Sequence, residues 1–272
     1  MNLKILVEER ARQYGGKTAI ALGDCRLSYT ELDEASNRVA NTLLEMGVGK
    51  GDRVAMLLVN SLEFVTTYFG IVKTGGIAVP LDTKYKLNEL ASLFPDSRPK
   101  VLVTESPFLE PIVPALPTFN YIEHVIDVSA KYEGQFVSYR EIMANSSARR
   151  VEVEPEPEDI AHIAYTSGPA FRPRGVMLPH QSLVREAAIS GDGFKQTDKD
   201  ITLLFALPMH HAFGLVVILL TSIYKGSTLV MLPGLSLDKV METIERERAT
   251  IFMGVPYVLA LAVIVAEEEG IK

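Results

Sequence analysis

The segment 165–176 carries the residue types that could bind an anion. It reads Tyr-Thr-Ser-Gly-Pro-Ala-Phe-Arg-Pro-Arg-Gly-Val, and its pattern predicts a short strand, a loop and a second short strand. In such a loop, side-chain hydroxyls and backbone N–H groups donate hydrogen bonds to phosphate oxygens, while a cation offsets their negative charge. The same turn-forming residues would suit an ordinary surface hairpin, so the pattern alone leaves both interpretations open.

Other catalytic and nucleotide-binding loops do not fit this sequence. Gly168 and Gly175 are wrongly spaced for a Walker A loop, and no Lys-Ser or Lys-Thr pair follows them. The segment does not carry the Gly-x-Gly-x-x-Gly dinucleotide pattern either. The sequence has no Gly-x-Ser-x-Gly elbow, which argues against a serine hydrolase.

The bulk composition is that of an ordinary globular protein. The chain has 272 residues, of which 47% are hydrophobic and 22% charged, enough for one large domain or two lobes. A net charge of −7 without a basic run argues against nucleic acid or an anionic membrane as a main partner. The longest apolar run, 213–223, is shorter than the about 20 residues that span a bilayer, and it predicts a buried helix.

Cysteine usage bears on the compartment. Cys25 is the single cysteine, which excludes a disulfide framework and a cysteine-based metal site. A lone thiol fits a reducing compartment, and the charged pattern at the start of the chain does not resemble a signal peptide. We therefore expect a cytoplasmic protein without a transmembrane segment.

Hydrophobic periodicity predicts strands that alternate with helices. The predicted strands are 18–22, 26–29, 53–59, 77–79, 100–104, 125–128, 160–166, 202–207, 228–232 and 251–253. The predicted helices are 3–11, 30–47, 61–75, 87–93, 182–190, 213–224, 237–248 and one that begins at 256. This alternation is typical of βαβ units, which form mainly parallel sheets with helices on both faces. Ligands of such folds bind beyond the carboxyl ends of strands, where the loop at 166–175 falls.

Polar residues and prolines predict where elements begin and end. Thr30, Ser61 and Ser236 are predicted N-caps, with Asp33 at the third position of the helix that Thr30 would begin. The proline-punctuated stretch 107–117 is predicted to be mostly loop.

The segment 165–176 resembles the phosphate loop of the adenylate-forming enzymes, the superfamily of acyl-CoA synthetases, luciferases and peptide-synthetase adenylation domains. The usual pattern of that loop is Tyr-Thr-Ser-Gly-(Ser/Thr)-Thr-Gly-x-Pro-Lys-Gly-Val. Five other stretches resemble motifs of the family in the same order and spacing. They are 29–32, 49–59, 75–81, 207–214 and 254–256. The resemblance covers nearly the whole chain and is greatest to acyl-CoA synthetases of the fatty-acid type.

The resemblance implies an α/β fold with two interleaved lobes, each with a mainly parallel sheet flanked by helices. The lobes are expected at approximately 51–184 and at 1–50 plus 185–272. Family members typically run well beyond this length, so the resemblance implies an incomplete N-terminal adenylation domain without its C-terminal domain. The implied reaction activates a carboxylic acid, expected to be a fatty acid, with ATP, Mg²⁺ and CoA. A homodimer is compatible with it.

The resemblance also implies roles for individual residues. The expected phosphate contacts are Thr166, Ser167, Gly168, Arg174 and Gly175. His211 matches the family histidine beside the acyl pocket and is the expected catalytic residue. The wall of that pocket would include Phe213, Gly214 and Val255.

This chain departs from the family pattern in the middle of the phosphate loop. Pro169-Ala170-Phe171 stands where the family has (Ser/Thr)-Thr-Gly, so two hydroxyls are lost. Pro169 also removes an N–H donor and fixes φ, and Phe171 replaces a flexible glycine. Arg174 replaces the family lysine, which keeps the charge but turns a point ammonium into a planar fork.

The histidines raise the question of a metal site. A site built from His210 and His211 is not expected, because adjacent helical residues point apart and the sequence offers no third ligand. His124, His162 and His180 are predicted to lie at the surface or at helix caps. We therefore predict no metal site.

Three functional hypotheses stay open on the sequence. The first is an AMP-forming acid–CoA ligase, with this chain inactive by itself, because it lacks the family's magnesium-binding acid, ribose-binding aspartate and C-terminal lysine. The second is a catalytically inactive acyl- or nucleotide-binding module, which the altered loop favours. The third is a shortened form of a working enzyme, which accounts for the length but leaves the altered loop unexplained.

Overall fold

The structure is a computed structural model, and it describes residues 1–129, 131–132, 134–166, 174–204, 207–232, 237–254, 256, 260 and 263–264. The α-helices are α1 (Leu3–Tyr14), α2 (Tyr29–Glu45), α3 (Leu62–Lys73), α4 (Leu87–Ser97), α5 (Ser106–Leu109), α6 (Tyr139–Asn145), α7 (His180–Gly193), α8 (Thr221–Lys225) and α9 (Leu237–Glu247). The strands are β1 (Thr18–Leu22), β2 (Cys25–Ser28), β3 (Arg53–Leu57), β4 (Ile77–Pro80), β5 (Val101–Thr104), β6 (His124–Asp127), β7 (Val137–Ser138), β8 (Ile160–Thr166), β9 (Arg174–Pro179), β10 (Ile201–Leu204), β11 (Thr228–Met231) and β12 (Ile251–Met253). A 3₁₀ helix spans Val113–Thr118, and a π-helix spans Phe213–Leu220.

The strands form two sheets. One sheet has five strands in the order β12-β10-β11-β1-β2, and the other has seven in the order β7-β6-β5-β3-β4-β8-β9. Neighbouring strands run parallel except in the antiparallel hairpins β1–β2 and β8–β9. Strands β3, β4 and β5 are mainly apolar and almost entirely buried, as expected of strands covered on both faces. The predicted α/β fold with mainly parallel sheets flanked by helices is confirmed.

The beginning of the chain and its later part share the five-stranded sheet. Strand β1 pairs in parallel with β11, and Ile20 lies opposite Leu229. The buried hydroxyl of Tyr29, on α2, donates to the carbonyl oxygen of Ser227 at 2.7 Å. Residues 1–50 therefore pack against elements that come late in the sequence. The lobe boundaries themselves stay a prediction.

A buried lysine joins helices α2 and α3. The Lys73 side chain is fully buried, and its ammonium donates to the Asp33 carboxylate at 2.6 Å and to the Asn37 side-chain oxygen at 2.7 Å. Burial lowers the pKa of Lys73, and the neighbouring Asp33 opposes that shift. Breaking a buried pair of this kind costs about 3–5 kcal/mol, so the contact fixes α3 against α2.

The N-cap of helix α2 lies two residues earlier than predicted. It is Ser28 and not Thr30: the Ser28 hydroxyl accepts from the N–H of Glu31 at 3.2 Å, and the Glu31 carboxylate accepts from the N–H of Ser28 at 2.8 Å. The two bonds form a capping box. The prediction missed this cap because Ser28 is also the last residue of strand β2.

The proline-rich stretch 107–117 is mostly helical, with a turn at 110–112, so its prediction as mostly loop is wrong. Helix α5 has Pro107 in its first turn, and the 3₁₀ helix has Pro114 in its first turn. A missing N–H costs little at those positions, because the first N–H groups of a helix have no partner within it. Strand β7 and helix α6 are absent from the prediction, since both are too short for a clear periodic signal.

The apolar run 213–223 forms a buried helical segment, as predicted. Its first part is the π-helix, which continues directly into α8, and most residues of both are buried. Turns of π-helix are rare and often lie at functional sites. Within the described part of the chain, no helix is both long and apolar enough to cross a membrane.

Two histidines predicted to lie at the surface or at caps are buried. His162 lies on β8 opposite Ala78, and its ring centroid is 6.0 Å from that of Tyr68 on α3. His180 does begin helix α7, but it is fully buried, and its Nδ1 accepts from the N–H of Leu3 at 3.2 Å. Burial lowers the pKa of both histidines to about 4. The surface prediction is therefore wrong for His162, because helix α3 covers this part of the sheet.

We expect acid to destabilise the fold between about pH 6.5 and pH 4, because an unfolded histidine titrates near 6.5. The unfolded state therefore binds more protons in this range, and the free energy of unfolding falls as pH falls. For His162, the loss from pH 7.5 to pH 5 should be about 1–2 kcal/mol. Urea unfolding at the two pH values measures it.

The variant His162→Gln should lose this part of the pH dependence. The matched control is His124→Gln, which changes a partly exposed histidine on β6 of the same sheet and should behave like the parent. An unchanged pH dependence in H162Q would contradict the assignment.

Candidate active site

The hairpin β8–β9 carries the two ends of the predicted phosphate loop. Thr166 ends β8 and Arg174 begins β9; the two are paired across the hairpin, with the Thr166 hydroxyl 3.5 Å from the Arg174 carbonyl oxygen. Both side chains are exposed, and the guanidinium has no ion pair with any described residue. Ser167, Gly168 and the Pro169-Ala170-Phe171 segment lie outside the described residues.

Tyr165 anchors the base of this hairpin to helix α4. Its hydroxyl donates to the Asp96 carboxylate at 2.5 Å, and burial, with a smaller effect of Asp96, raises the pKa of Tyr165. Across the hairpin, a β-carbon on Gly175 would lie 2.9 Å from Ile163 Cγ2 and 3.4 Å from the Tyr165 ring. Gly175 therefore permits a close approach at the loop's base. The sequence carries no signal for Asp96, since no motif includes it.

A turn after strand β10 is fixed by Asn60, which follows β3 of the other sheet. The Asn60 amide nitrogen donates to the carbonyl oxygen of Leu207 at 2.9 Å, and its amide oxygen accepts from the N–H of Met209 at 2.7 Å. Met209 itself is fully buried. These bonds join the carboxyl ends of strands from both sheets and place the following histidine pair between them.

His211 closes that turn in front of the π-helix. Its N–H donates to the carbonyl oxygen of Pro208 at 3.1 Å, and its own carbonyl oxygen accepts from the N–H of Leu215 at 3.0 Å. The imidazole is exposed. Gly214 packs against the turn so closely that a β-carbon there would clash with the Pro208 carbonyl group. A larger residue at Gly214 would displace the backbone that carries His211.

The predicted acyl pocket is only partly described. Phe213 begins the π-helix with 39% of its surface exposed, and Gly214, the next residue, is buried. Val255 lies outside the described residues. The assignment of these three residues to a pocket wall stays a prediction.

His210 lies beside an aspartate that the sequence analysis did not connect with it. Asp82 follows strand β4, and its Oδ2 is 3.6 Å from Nε2 of His210. The ring centroids of His210 and His211 are 4.4 Å apart, so the expectation that the two rings point apart and lack a third candidate ligand is wrong. Burial lowers the pKa of His210 to about 4, although Asp82 opposes the shift. Only the pairing of the two sheets reveals this cluster.

The structure places most of these residues at or just after the carboxyl ends of strands in the two sheets. Asn60, Asp82 and Thr166 follow or end strands β3, β4 and β8, which run parallel in one sheet, and the histidine pair follows β10 in the other. Parallel sheets bind ligands at this edge. An exposed arginine, a hydroxyl and polar side chains at the carboxyl ends of strands suit an anionic ligand.

Comparisons with known proteins identify the family. Residues 7–271 match the model of the AMP-binding enzyme family, and the chain belongs to that family. Long-chain-fatty-acid–CoA ligase FadD13 of Mycobacterium tuberculosis is 32% identical over 238 residues, which cover 87% of this chain and 46% of that protein. The 4-coumarate–CoA ligase 3 of Oryza sativa subsp. japonica is 30% identical over 261 residues, which cover 94% of this chain and 46% of the ligase.

A solved structure shares the fold. The crystal structure of the anthranilate CoA ligase AuaEII in complex with anthranoyl-AMP matches 95% of this chain and 50% of its own chain, with a TM-score of 0.89 and 27% identity. The chain spans about half the length of the curated relatives it matches. The resemblance to adenylate-forming enzymes that the motifs indicated is confirmed.

We expect Gly214→Ala to destabilise the turn that carries His211. The added β-carbon would meet backbone atoms of Pro208 and Met209, which cannot rotate away, so the free energy of unfolding should fall by about 1–3 kcal/mol. Urea unfolding measures the change.

Gly193→Ala is the matched control. A β-carbon at Gly193, the last residue of α7, meets no atom within 4 Å, so alanine should raise the free energy of unfolding by about 0.4–1 kcal/mol. Equal stabilities of G214A and G193A would show that the turn is not closely packed.

Proposed function

We propose that the chain forms part of an adenylate-forming acid–CoA ligase and contributes binding of the ATP phosphates and of the acid. The observation that carries this proposal is the exposed Arg174, which has no ion pair with a described residue and is paired across a hairpin with the hydroxyl-bearing Thr166. A cation and a hydroxyl held at the carboxyl end of a parallel strand suit a polyphosphate. Membership in the AMP-binding enzyme family supports it.

The proposed reaction has two halves. An oxygen of the acid's carboxylate attacks the α-phosphorus of ATP, and pyrophosphate leaves with the bonding electron pair. The thiol sulfur of CoA then attacks the acyl carbon, loses its proton and displaces AMP, so the thioester forms. The residues proposed to hold the phosphates are Thr166, Ser167, Gly168, Arg174 and Gly175. His211 would lie beside the acyl-adenylate. Catalysis of the first half consists mainly of positioning and charge stabilisation.

Magnesium is proposed to enter with ATP and not on a protein site in this part of the chain. Among the described residues, Asp82, His210 and His211 form a group that could hold a metal ion. Mg²⁺ prefers oxygen ligands, so a group with two imidazoles suits it poorly. No step of the proposed reaction therefore goes through Mg²⁺ on that group.

A fatty acid is the proposed substrate. The relatives do not decide between acids, because two of similar identity are named for long-chain fatty acids and for 4-coumarate. The proposal of a fatty acid therefore rests on the motif resemblance. Phe213, Gly214 and Val255 are proposed to line the acyl pocket, and the exposed part of Phe213 offers apolar surface to an acyl chain. AMP release with hexadecanoate and with 4-coumarate, in the longest form of the protein available, tests the choice.

A second candidate function is a catalytically inactive acyl- or nucleotide-binding module. The Pro169-Ala170-Phe171 sequence favours it, because two phosphate-facing hydroxyls and one N–H donor are missing from the expected loop. Binding of acid or nucleotide without release of pyrophosphate, in the longest form of the protein, would distinguish the module from the ligase.

The proposed reaction determines the proposed partners, and the cysteine content bears on the proposed location. The partners are a small carboxylic acid, ATP and CoA, and a homodimer is compatible with them. The lone Cys25 favours a reducing compartment, so we propose a cytoplasmic location.

We expect the isolated 272-residue chain to make no acyl-CoA. It spans about half the length of its matched relatives, and the family's ribose-binding aspartate, magnesium-binding acid and C-terminal lysine are not found in its sequence. A coupled assay for AMP or pyrophosphate, with acids from short to long, should stay at background, while the full-length fatty-acid ligase relative serves as positive control. Turnover by the isolated chain would show those groups to be dispensable.

Restoring Thr-Thr-Gly at positions 169–171 should strengthen ATP binding. Each regained hydroxyl can donate a hydrogen bond to a charged oxygen, worth roughly 1.5–3 kcal/mol, so the gain should be about a hundredfold or more in affinity. Calorimetric titration of ATP with magnesium into both loops, in the longest form of the protein available, measures it.

Two arginine variants sharpen the test of the loop. In the restored background, Arg174→Gln should weaken ATP binding by at least about tenfold, because a charge-assisted contact is lost. Arg140→Gln is the matched control, since Arg140 is exposed on α6, beside the opposite edge strand β7 of the same sheet. If the parent loop and the Thr-Thr-Gly loop bind ATP with equal affinity, the assignment of this loop to phosphate binding is wrong.

A further inference from the structure

Three side chains at the strand ends have the composition of a transition-metal site. Asp82, His210 and His211 each offer one ligand atom, and these atoms all lie within 4.8 Å of one another. Asp82 follows β4 of the seven-stranded sheet, while the histidines follow β10 of the five-stranded sheet. The group therefore bridges the two sheets, and neither sheet holds it alone.

The buried nitrogen of His210 is the observation that points to a ligand. The His210 side chain is only 9% exposed, and its Nε2 is buried without a hydrogen-bond partner among the described residues. Buried polar atoms in native proteins almost always have a partner, and leaving one unsatisfied costs about 1–3 kcal/mol. The atom is aimed at Asp82, whose Oδ2 lies 3.6 Å away, beyond a normal hydrogen bond.

That separation suits two ligands of one metal ion. Zinc binds histidine nitrogen and carboxylate oxygen at about 2.0–2.2 Å in a tetrahedral arrangement, which places two ligand atoms about 3.4 Å apart. The ring of His211 belongs to an exposed residue, and its centroid lies 4.4 Å from that of His210. One ligand atom of His211 already lies within 4.8 Å of those of His210 and Asp82.

We propose that Asp82, His210 and His211 bind one divalent transition-metal ion, of which Zn²⁺ and Co²⁺ are suitable examples. Two imidazoles and one carboxylate select such ions over Mg²⁺ and Ca²⁺. Three protein ligands leave at least one position for water, and the exposed His211 places that position towards solvent. The inference goes beyond the proposed function, because it needs only the three side chains and no adenylation.

Metal titration of the 272-residue chain, after removal of metal ions with a chelator, tests the proposal. Zn²⁺ titrated in a calorimeter should bind at one ion per chain, and excess Mg²⁺ should not displace it. Co²⁺ in the same site should give the visible absorption of an ion with four or five ligands, which hydrated Co²⁺ lacks. Absence of one-to-one binding of Zn²⁺ would overturn the proposal.

Substitutions locate the site. His210→Phe and Asp82→Asn should each weaken Zn²⁺ binding by at least about tenfold, since even an outer-shell partner of a metal ligand is worth 10–100-fold. His124→Gln is the matched control, because this histidine lies outside the group. Circular dichroism and thermal melting check that each variant folds. If His210→Phe does not fold, the Zn²⁺ affinity of Asp82→Asn and its Co²⁺ spectrum show whether the ion binds at this group. Unchanged affinity in H210F and D82N, or an equal loss in H124Q, would contradict the site.

Discussion

The candidate site depends on one contact, the pair of hydrogen bonds between Asn60 and the backbone of Leu207 and Met209. Asn60 follows strand β3 of the seven-stranded sheet, and the backbone that it binds follows β10 of the five-stranded sheet. An amide side chain donates and accepts at once, so a single residue satisfies two backbone groups. Because the contact joins the carboxyl ends of two separate sheets, a ligand can be reached by groups from both.

Two buried polar groups among the described residues differ in whether they have hydrogen-bond partners. The ammonium of Lys73 has partners in Asp33 and Asn37, and a satisfied network of this kind fixes the relative position of the helices that carry it. The buried Nε2 of His210 has no such partner among the described residues, although it lies close to Asp82. The Lys73 network joins α2 to α3, whereas the unsatisfied nitrogen of His210 points to a functional site because two further candidate ligands lie beside it.

The sequence by itself determined the order and type of most elements. The strands at 18–22, 160–166 and 251–253 have their predicted bounds, and Ser61 is the N-cap of α3 as predicted, because apolar periodicity and capping residues act over a few neighbouring positions. The motifs also indicated the family correctly. The prediction of the α2 cap is wrong because two signals overlap at Ser28, which both ends a strand and caps a helix.

Only the tertiary structure decided which distant side chains meet. The contact of Tyr165 with Asp96, the burial of His162 against α3 and the approach of Asp82 to His210 have no counterpart in any local pattern. The physical reason is that spacing along the chain encodes which face of a helix or strand is apolar. Which strand lies beside which, and in what register, depends on how all the apolar faces are buried together, so contacts between sheets become visible only once the chain is folded.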